Sequence, residues 1–279
     1  MGTAILRRYV LIDAIGQGGV STVYAAVDAR RGRKLAVKVL APSLAADPRA
    51  REDVRREALI TDRLRHPSVP RVFEYGEAPL PDGSVVPYVV LELLAGAPLA
   101  ERLARGRLDW PEAVRIAGTA ADVLAVAHRR GVVHRDLTAR NVMVSPAGVK
   151  IIDFGLATAA HPVVAGGGAL PAHPKTAFAR PADDVYTLGV LLYEMLTGRS
   201  PYPPAIAAVI LAAGRVGHLA PTPVLAIPGL PPPLRDLVRA CMAKRPEDRP
   251  GSADVALGLR RILDGAGLVG ARLPEPSVN

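Results

Sequence analysis

The octapeptide His134-Arg135-Asp136-Leu137-Thr138-Ala139-Arg140-Asn141, followed shortly by Ile151-Ile152-Asp153-Phe154-Gly155, constrains this chain more than any other feature. It sets a candidate base and two candidate metal ligands close together. An in-line phosphoryl transfer needs a carboxylate beside the acceptor hydroxyl and oxygen ligands that hold metal against nucleotide phosphates. Asp136 suits the first task, Asn141 and Asp153 the second. Asp and Gly also favour turns for backbone reasons alone, so either motif singly reads as ordinary loop chemistry. Their pairing at this spacing favours the chemical reading.

The two motifs resemble the catalytic loop and metal-binding turn of eukaryotic-type protein kinases, written HRDxxxxN and DFG in that family. The chain as a whole resembles the catalytic domain of a bacterial eukaryotic-type serine/threonine protein kinase. That resemblance implies an α+β, bilobal protein-kinase-like fold, with a small β-rich N-lobe carrying one helix and a larger, mostly helical C-lobe. The expected boundaries are 1–94 for the first lobe, 95–263 for the second and 264–279 for a tail. ATP is the implied nucleotide, Mg²⁺ the implied metal with Mn²⁺ as a substitute, and proteins the implied substrates.

Gly16-Gln17-Gly18-Gly19-Val20-Ser21-Thr22-Val23-Tyr24 lies between two expected strands. Glycines there let backbone N–H groups approach phosphate oxygens with no side chain between, although a plain glycine hairpin reads the same way. Ser21 stands where the family carries its third glycine. Ala36-Val37-Lys38 resembles the family's third-strand lysine motif, which implies that Lys38 neutralises the α- and β-phosphates. Glu57, among Arg55-Arg56-Glu57-Ala58, then falls where the family places the glutamate that orients this lysine. By the same resemblance Val23, Ala36 and Met143 wall the adenine and Leu91 is the gatekeeper. The backbones of Glu92 and Leu94 then bond the purine.

Hydropathy patterning places strands over Tyr9 to Ile15, Val20 to Val27, Leu35 to Leu40 and Tyr88 to Leu93, with a helix over Arg49 to Arg65. From Trp110 the period changes. Val114, Ala117, Ala121, Leu124 and His128 recur at steps of three and four, one apolar stripe on a long helix. Asp109 with Glu112 marks its start and Gly131 its stop. A packed interior histidine is the favoured reading of His128. Later helices are expected over Asp184 to Thr197, Leu234 to Ala243 and Ser252 to Leu263. His161 to Pro174 reads as loop, and Gly265 to Asn279 as a frayed tail.

Aromatic residues make up 4% of the 279, so the core must be built from aliphatic side chains. The net charge of +9 raises nucleic acid as a partner. The basic residues are scattered, however, with no interleaved aromatic platform, so no nucleic acid is expected. Cys241 is the only cysteine, which excludes an intramolecular disulfide and suits a reducing, cytoplasmic compartment. It lies in the apolar pattern Leu234, Leu237, Val238, Cys241, Met242 and reads as a buried hydrophobe. No leader peptide is evident, and the apolar run from Ala205 to Ala213 is too short to span a membrane. A homodimer is compatible with the sequence.

Two departures from the family bear on function. Thr138 occupies the position where serine/threonine kinases carry a lysine that touches the transferring phosphate; Arg140 stands where tyrosine kinases commonly carry an arginine. Between Asp153 and Asp184, relatives end in Ala-Pro-Glu, whose glutamate pairs with the arginine aligned to Arg249. Here Gly166-Gly167-Gly168-Ala169-Leu170-Pro171-Ala172-His173-Pro174 contains no glutamate, so Arg249 needs another partner. The leading expectation is an ATP-dependent protein kinase acting on Ser/Thr hydroxyls. The alternatives are a pseudokinase serving as a nucleotide-binding interaction module and, less well matched, a small-molecule kinase.

Overall fold

The computed structural model describes residues 4–5, 8–18, 20–79, 83, 85–154, 158–159, 180–202 and 223–267. Two compact units emerge, Met1–Ala95 together with Asp153–Gly155, and Gly96–Ile152 together with Leu156–Asn279.

The first unit is an antiparallel sheet of six strands, β1 (Ala4–Ile5), β2 (Tyr9–Gln17), β3 (Ser21–Asp28), β4 (Arg33–Leu40), β5 (Val72–Pro79) and β6 (Val85–Leu91), in the order β1-β2-β3-β4-β6-β5. Strand alternation splits β4 between two cores. Leu35, Val37 and Val39 join Tyr9, Val86, Tyr88 and Val90 on one face. Leu40 joins Val89 against Val54 and Ala58 of helix α1 (Pro48–Leu64) on the other. Lys38 shares the parity of Leu40 and therefore faces the helix. Asp47 caps α1 by accepting the Arg49 N–H at 2.9 Å, and Pro48 fills its first turn. On the opposite face Glu74 accepts bonds from the Tyr9 and Tyr88 hydroxyls, both at 2.7 Å, and from Arg8 at 2.8 Å.

The second unit is mainly helical: α2 (Leu99–Ala104), α3 (Trp110–Arg129), α4 (Pro181–Thr197), α5 (Pro232–Cys241) and α6 (Ser252–Gly265). Helix α3 buries Val114, Ile116, Ala117, Ala121 and Leu124 and packs against α4 and α6. Asp109 caps it by accepting the Glu112 N–H at 2.8 Å. Past its end, Gly131 takes a left-handed φ of 71° that turns the chain into β8 (Val132–Val133). Strands β9 (Val142–Ser145) and β10 (Gly148–Ile151) form a hairpin extended by β7 (Ala97–Pro98), and β8 pairs with β11 (Thr158–Ala159). Among the described residues no helix is long and apolar enough to cross a membrane.

The α+β class stands: a sheet with one α-helix in the first unit, helices with small sheets in the second. Several boundaries move for local reasons. The last strand of the first sheet runs Val85–Leu91, because Glu92 leaves the ladder and donates its N–H to Arg71 O at 2.8 Å. Helix α4 starts at Pro181, where proline suits the first turn and Asp183 accepts the Arg180 N–H. Helix α5 starts at Pro232 for the same reason and ends at Cys241. Helix α6 continues to Gly265, so the expected tail begins later than position 264. Gly19, His161 to Pro174, Thr176, Ala205 to Ala213 and the tail from residue 268 lie outside the described residues.

Candidate active site

The parity that turns Lys38 toward α1 brings it to Glu57, three residues after the buried Val54 and hence on the same helical face. The Lys38 ammonium lies 2.6 and 2.7 Å from the two Glu57 oxygens. The Asp153 carboxylate is 3.5 Å from the same nitrogen. Burial works against the Lys38 charge, but Glu57 and Asp153 outweigh it and hold its pKa above the ordinary lysine value. Glu57 is nearly enclosed, while the Asp153 side chain remains 45% exposed, able to receive a ligand on its open side. Asp153 holds a left-handed φ of 64°, a conformation costing a non-glycine residue about 1–3 kcal/mol.

In the second unit, the chain from His134 to Asn141 is pinned at both ends. Asp184 of α4, fully buried, accepts the His134 N–H at 2.7 Å and the Arg135 N–H at 2.8 Å. Those bonds hold Arg135 at a left-handed φ of 70°. At the other end the Asn141 Nδ2 donates to the Asp136 carbonyl at 2.8 Å and to Asp136 Oδ2 at 2.9 Å. Two acceptors facing Nδ2 fix which amide atom is which, and leave Oδ1 as the atom of Asn141 available to a cation. The Asn141 backbone is held as well, by Thr138 O at 3.0 Å and the Ile152 N–H at 2.9 Å. Arg140 beside it is exposed, and among the described residues no hydrogen bond or ion pair engages its guanidinium.

Gly16, Gln17 and Gly18 are exposed at the end of β2 and its turn, and the Gly18 N–H closes that turn on Ser21 O at 2.9 Å. Register shifts in β2 between Leu11 and Asp13 and between Ala14 and Gly16 bend the strand just before the glycines. Val23 pairs with Lys38, and Ala36 with Leu91, so three of the expected adenine contacts lie on adjacent strands β3, β4 and β6 of one unit. Met143 lies on β9 of the other. Leu94 is partly buried just after β6. Ile12, Ile15 and Val20 expose more than half of their surface around the glycine run. Sequence reading passed over this apolar rim, whose only signal was aliphatic residues flanking a turn.

Arg249 does have a partner. Its guanidinium donates to the Ala182 and Ala243 carbonyls, both at 2.8 Å, and to Lys244 O at 3.2 Å, lies 3.5 Å from Asp183 Oδ1, and sits over the Tyr186 ring. Asp183, adjacent to Asp184 in the first turn of α4, thus supplies the carboxylate that Gly166 to Pro174 does not offer.

A fold of this class, with a strand lysine paired to a helix glutamate in one unit and an Arg-Asp loop pinned by a helix aspartate in the other, defines a protein kinase domain. The family model described as protein kinase domain matches residues 9–257, and the chain belongs to that family. It is similar to the serine/threonine-protein kinase PknA of Mycobacterium tuberculosis, 36% identical over 292 residues covering 99% of this chain and 65% of PknA. It is similar also to the serine/threonine-protein kinase PknL of the same species, 35% identical over 282 residues covering 96% of this chain and 69% of PknL. The chain therefore spans just under two thirds of the length of PknA.

Proposed function

We propose that this chain transfers the γ-phosphoryl group of ATP to serine or threonine hydroxyls of proteins, in the cytoplasm. The observation that carries the reading is the Lys38 ammonium, bonded to both oxygens of Glu57 with Asp153 at 3.5 Å. A lysine serving only the fold needs one counter-charge. Here a second, half-exposed carboxylate shares it, an arrangement suited to a polyanion with its metal. The names of PknA and PknL support serine and threonine as acceptors.

Asn141 Oδ1 and the Asp153 carboxylate are hard oxygen donors, and so fit Mg²⁺, which takes one or two carboxylates and completes its shell with water and phosphate oxygens. Bound there, the ion would supply neutralising charge to the β- and γ-phosphates. Lys38 serves the α- and β-phosphates, with Glu57 fixing its position. The backbone of Gly16, Gln17, Gly18 and Gly19 covers the phosphates, with the Gly18 N–H itself committed to closing the turn on Ser21 O. Val23, Ala36, Leu91 and Met143 contact the adenine. Because the Glu92 N–H is committed to Arg71 O, purine bonding at Glu92 falls to its carbonyl, with the Leu94 backbone alongside. Asp136 accepts the proton of the acceptor hydroxyl as its oxygen bonds to the γ-phosphorus and the bond to ADP breaks. The Asn141 amide holds that carboxylate in place.

Phosphate transfer from ATP to generic protein substrates, compared between the parent and Asp136→Asn, tests the reading. Removing the base should lower turnover by about 10²–10⁴ with the melting temperature kept. Equal turnover in a folded Asp136→Asn protein, or a parent that transfers nothing, refutes it.

A further inference from the structure

The turn between β3 and β4 carries Arg30, Arg31, Arg33 and Lys34 around Gly32, all exposed. Buried Asp28 shapes it: the carboxylate accepts the Arg30 N–H at 3.0 Å, and the carbonyl accepts the N–H groups of Arg31 and Gly32 at 3.1 and 2.7 Å. Alternation puts Arg33 on the face of Leu35, Val37 and Val39, turned away from α1. Phe73 packs against that same core. It is the extra residue of a bulge in the edge strand β5, where the ladder passes from Val72 opposite Leu91 to Glu74 opposite Val90. The Arg33 guanidinium carbon lies 3.9 Å from the Phe73 ring centroid, and that of Arg71 lies 5.6 Å from it. The carboxylates nearby are engaged. Asp28 and Glu74 hold Arg8, Glu74 also takes the Tyr9 and Tyr88 hydroxyls, and Glu92 accepts the Arg71 backbone N–H at 3.1 Å. Among the described residues no carboxylate pairs with the guanidinium of Arg33 or of Arg71.

We propose that Arg33 and Arg71, held on Phe73 and backed by Arg30, Arg31 and Lys34, bind a phosphoserine or phosphothreonine within an acidic segment of a partner protein. A guanidinium lying on a ring keeps its N–H edge free for an anion. Two such forks on one ring match the oxygens of a phosphate, which takes bidentate, charge-assisted bonds. The ring fixes both long side chains in advance, so less rotamer freedom is lost on binding. The three turn cations extend the positive field to acidic residues flanking the phosphate. Two other polyanions fit less well. A nucleic-acid base stacks on an open aromatic face, whereas here a guanidinium covers Phe73. A membrane surface rewards apolar side chains beside the cations, and none of the exposed large hydrophobics among the described residues lies in the turn or next to Phe73 in sequence.

Binding here needs no phosphoryl transfer, so the test stands apart from the kinase reading. The probe is a short fluorescein-labelled peptide with one phosphoserine among aspartates, titrated with nucleotide-free protein and read by fluorescence anisotropy. Arg33→Ala with Arg71→Ala should weaken its binding by about 10- to 100-fold. Phe73→Leu, which keeps both charges and loses the ring, should weaken it by about two- to fivefold. Arg105→Ala with Arg239→Ala removes as many exposed cations from the second unit and should leave binding unchanged. The same peptide with aspartate in place of phosphoserine should bind the parent about tenfold more weakly. Equal losses in the two double variants overturn the proposal. So does a parent that binds the phosphoserine and aspartate peptides alike, a comparison that decides even if a variant fails to fold. Vesicles of phosphatidylserine and phosphatidylcholine that bind the parent through Arg33 and Arg71, while the phosphopeptide does not bind, assign the surface to a membrane and overturn it too.

Discussion

Arg140 is exposed beside Asn141, and among the described residues its guanidinium is committed to nothing. An arginine that merely decorated the surface would gain little from a partner; one kept open next to a pinned Asn141–Asp136 pair suits a phosphate, which its planar fork matches. With Thr138 in place of the lysine of relatives, we propose that this task falls to Arg140. Arg140→Ala should therefore lower turnover by about 10²-fold and barely change KM for ATP, since the contact matters most as charge moves toward the acceptor. Steady-state kinetics check this, and unchanged values would make Arg140 a solvated charge. At this scale the motif residues were legible because their chemistry is local: Asp136, Asn141 and Asp153 lie within one short stretch. The partner of Arg249 was not. Asp183 is 66 positions away, and only the folded chain brings α4 beside it.

Helix α4 crosses α5 where neither side has room. A Cβ on Gly189 would lie 2.8 Å from Cys241 Cβ and 2.8 Å from Met242 Cγ, both buried. Alanine favours a helix over glycine by about 1 kcal/mol, but overpacking a buried contact costs about 1–3 kcal/mol, and here the neighbours are a Cβ beside the backbone and a mid-chain Cγ, not flexible tips. Gly189→Ala should lower the melting temperature by a few degrees, whereas a net rise in the thermal melt would show that the helices can part. The long helix α3 was legible from its apolar stripe and its Asp109 cap, because both signals are local and strong. Strand β5 was missed. Val72–Pro79 carries two glutamates, a glycine and a proline and is mostly half-buried, so no alternation announces it. It is a strand because β6 supplies its ladder partners. In the first-unit core, alternation on β4 sends Leu35, Val37 and Val39 to one face and Leu40, with Lys38, to the other.

Across the whole molecule, the start of α4 is tied to the stretch that carries Arg249. Arg249 ties Ala182 and Asp183 to the carbonyls of Ala243 and Lys244, a role that a loop glutamate shares in relatives. The two hydroxyls between Asp153 and Asp184 are Thr158, whose backbone pairs with Val133, and Thr176, outside the described residues. A double variant, Thr158→Ala with Thr176→Ala, should keep most of the parent's turnover in the same phosphate-transfer assay. Abolished activity restored by Thr176→Glu would return control to a phosphorylated loop. The contact between Gly189 and Cys241 has a further use. Cys241 is the sole thiol of the chain, and burial pushes its pKa up to about 12. Only a thiolate reacts quickly with a labelling reagent, so in the native protein this sulfur is silent. It becomes reactive when α4 and α5 separate, and the labelling rate then reports the frequency of that opening: the chain carries its own clock for unfolding, placed where those two helices leave no room for a methyl group.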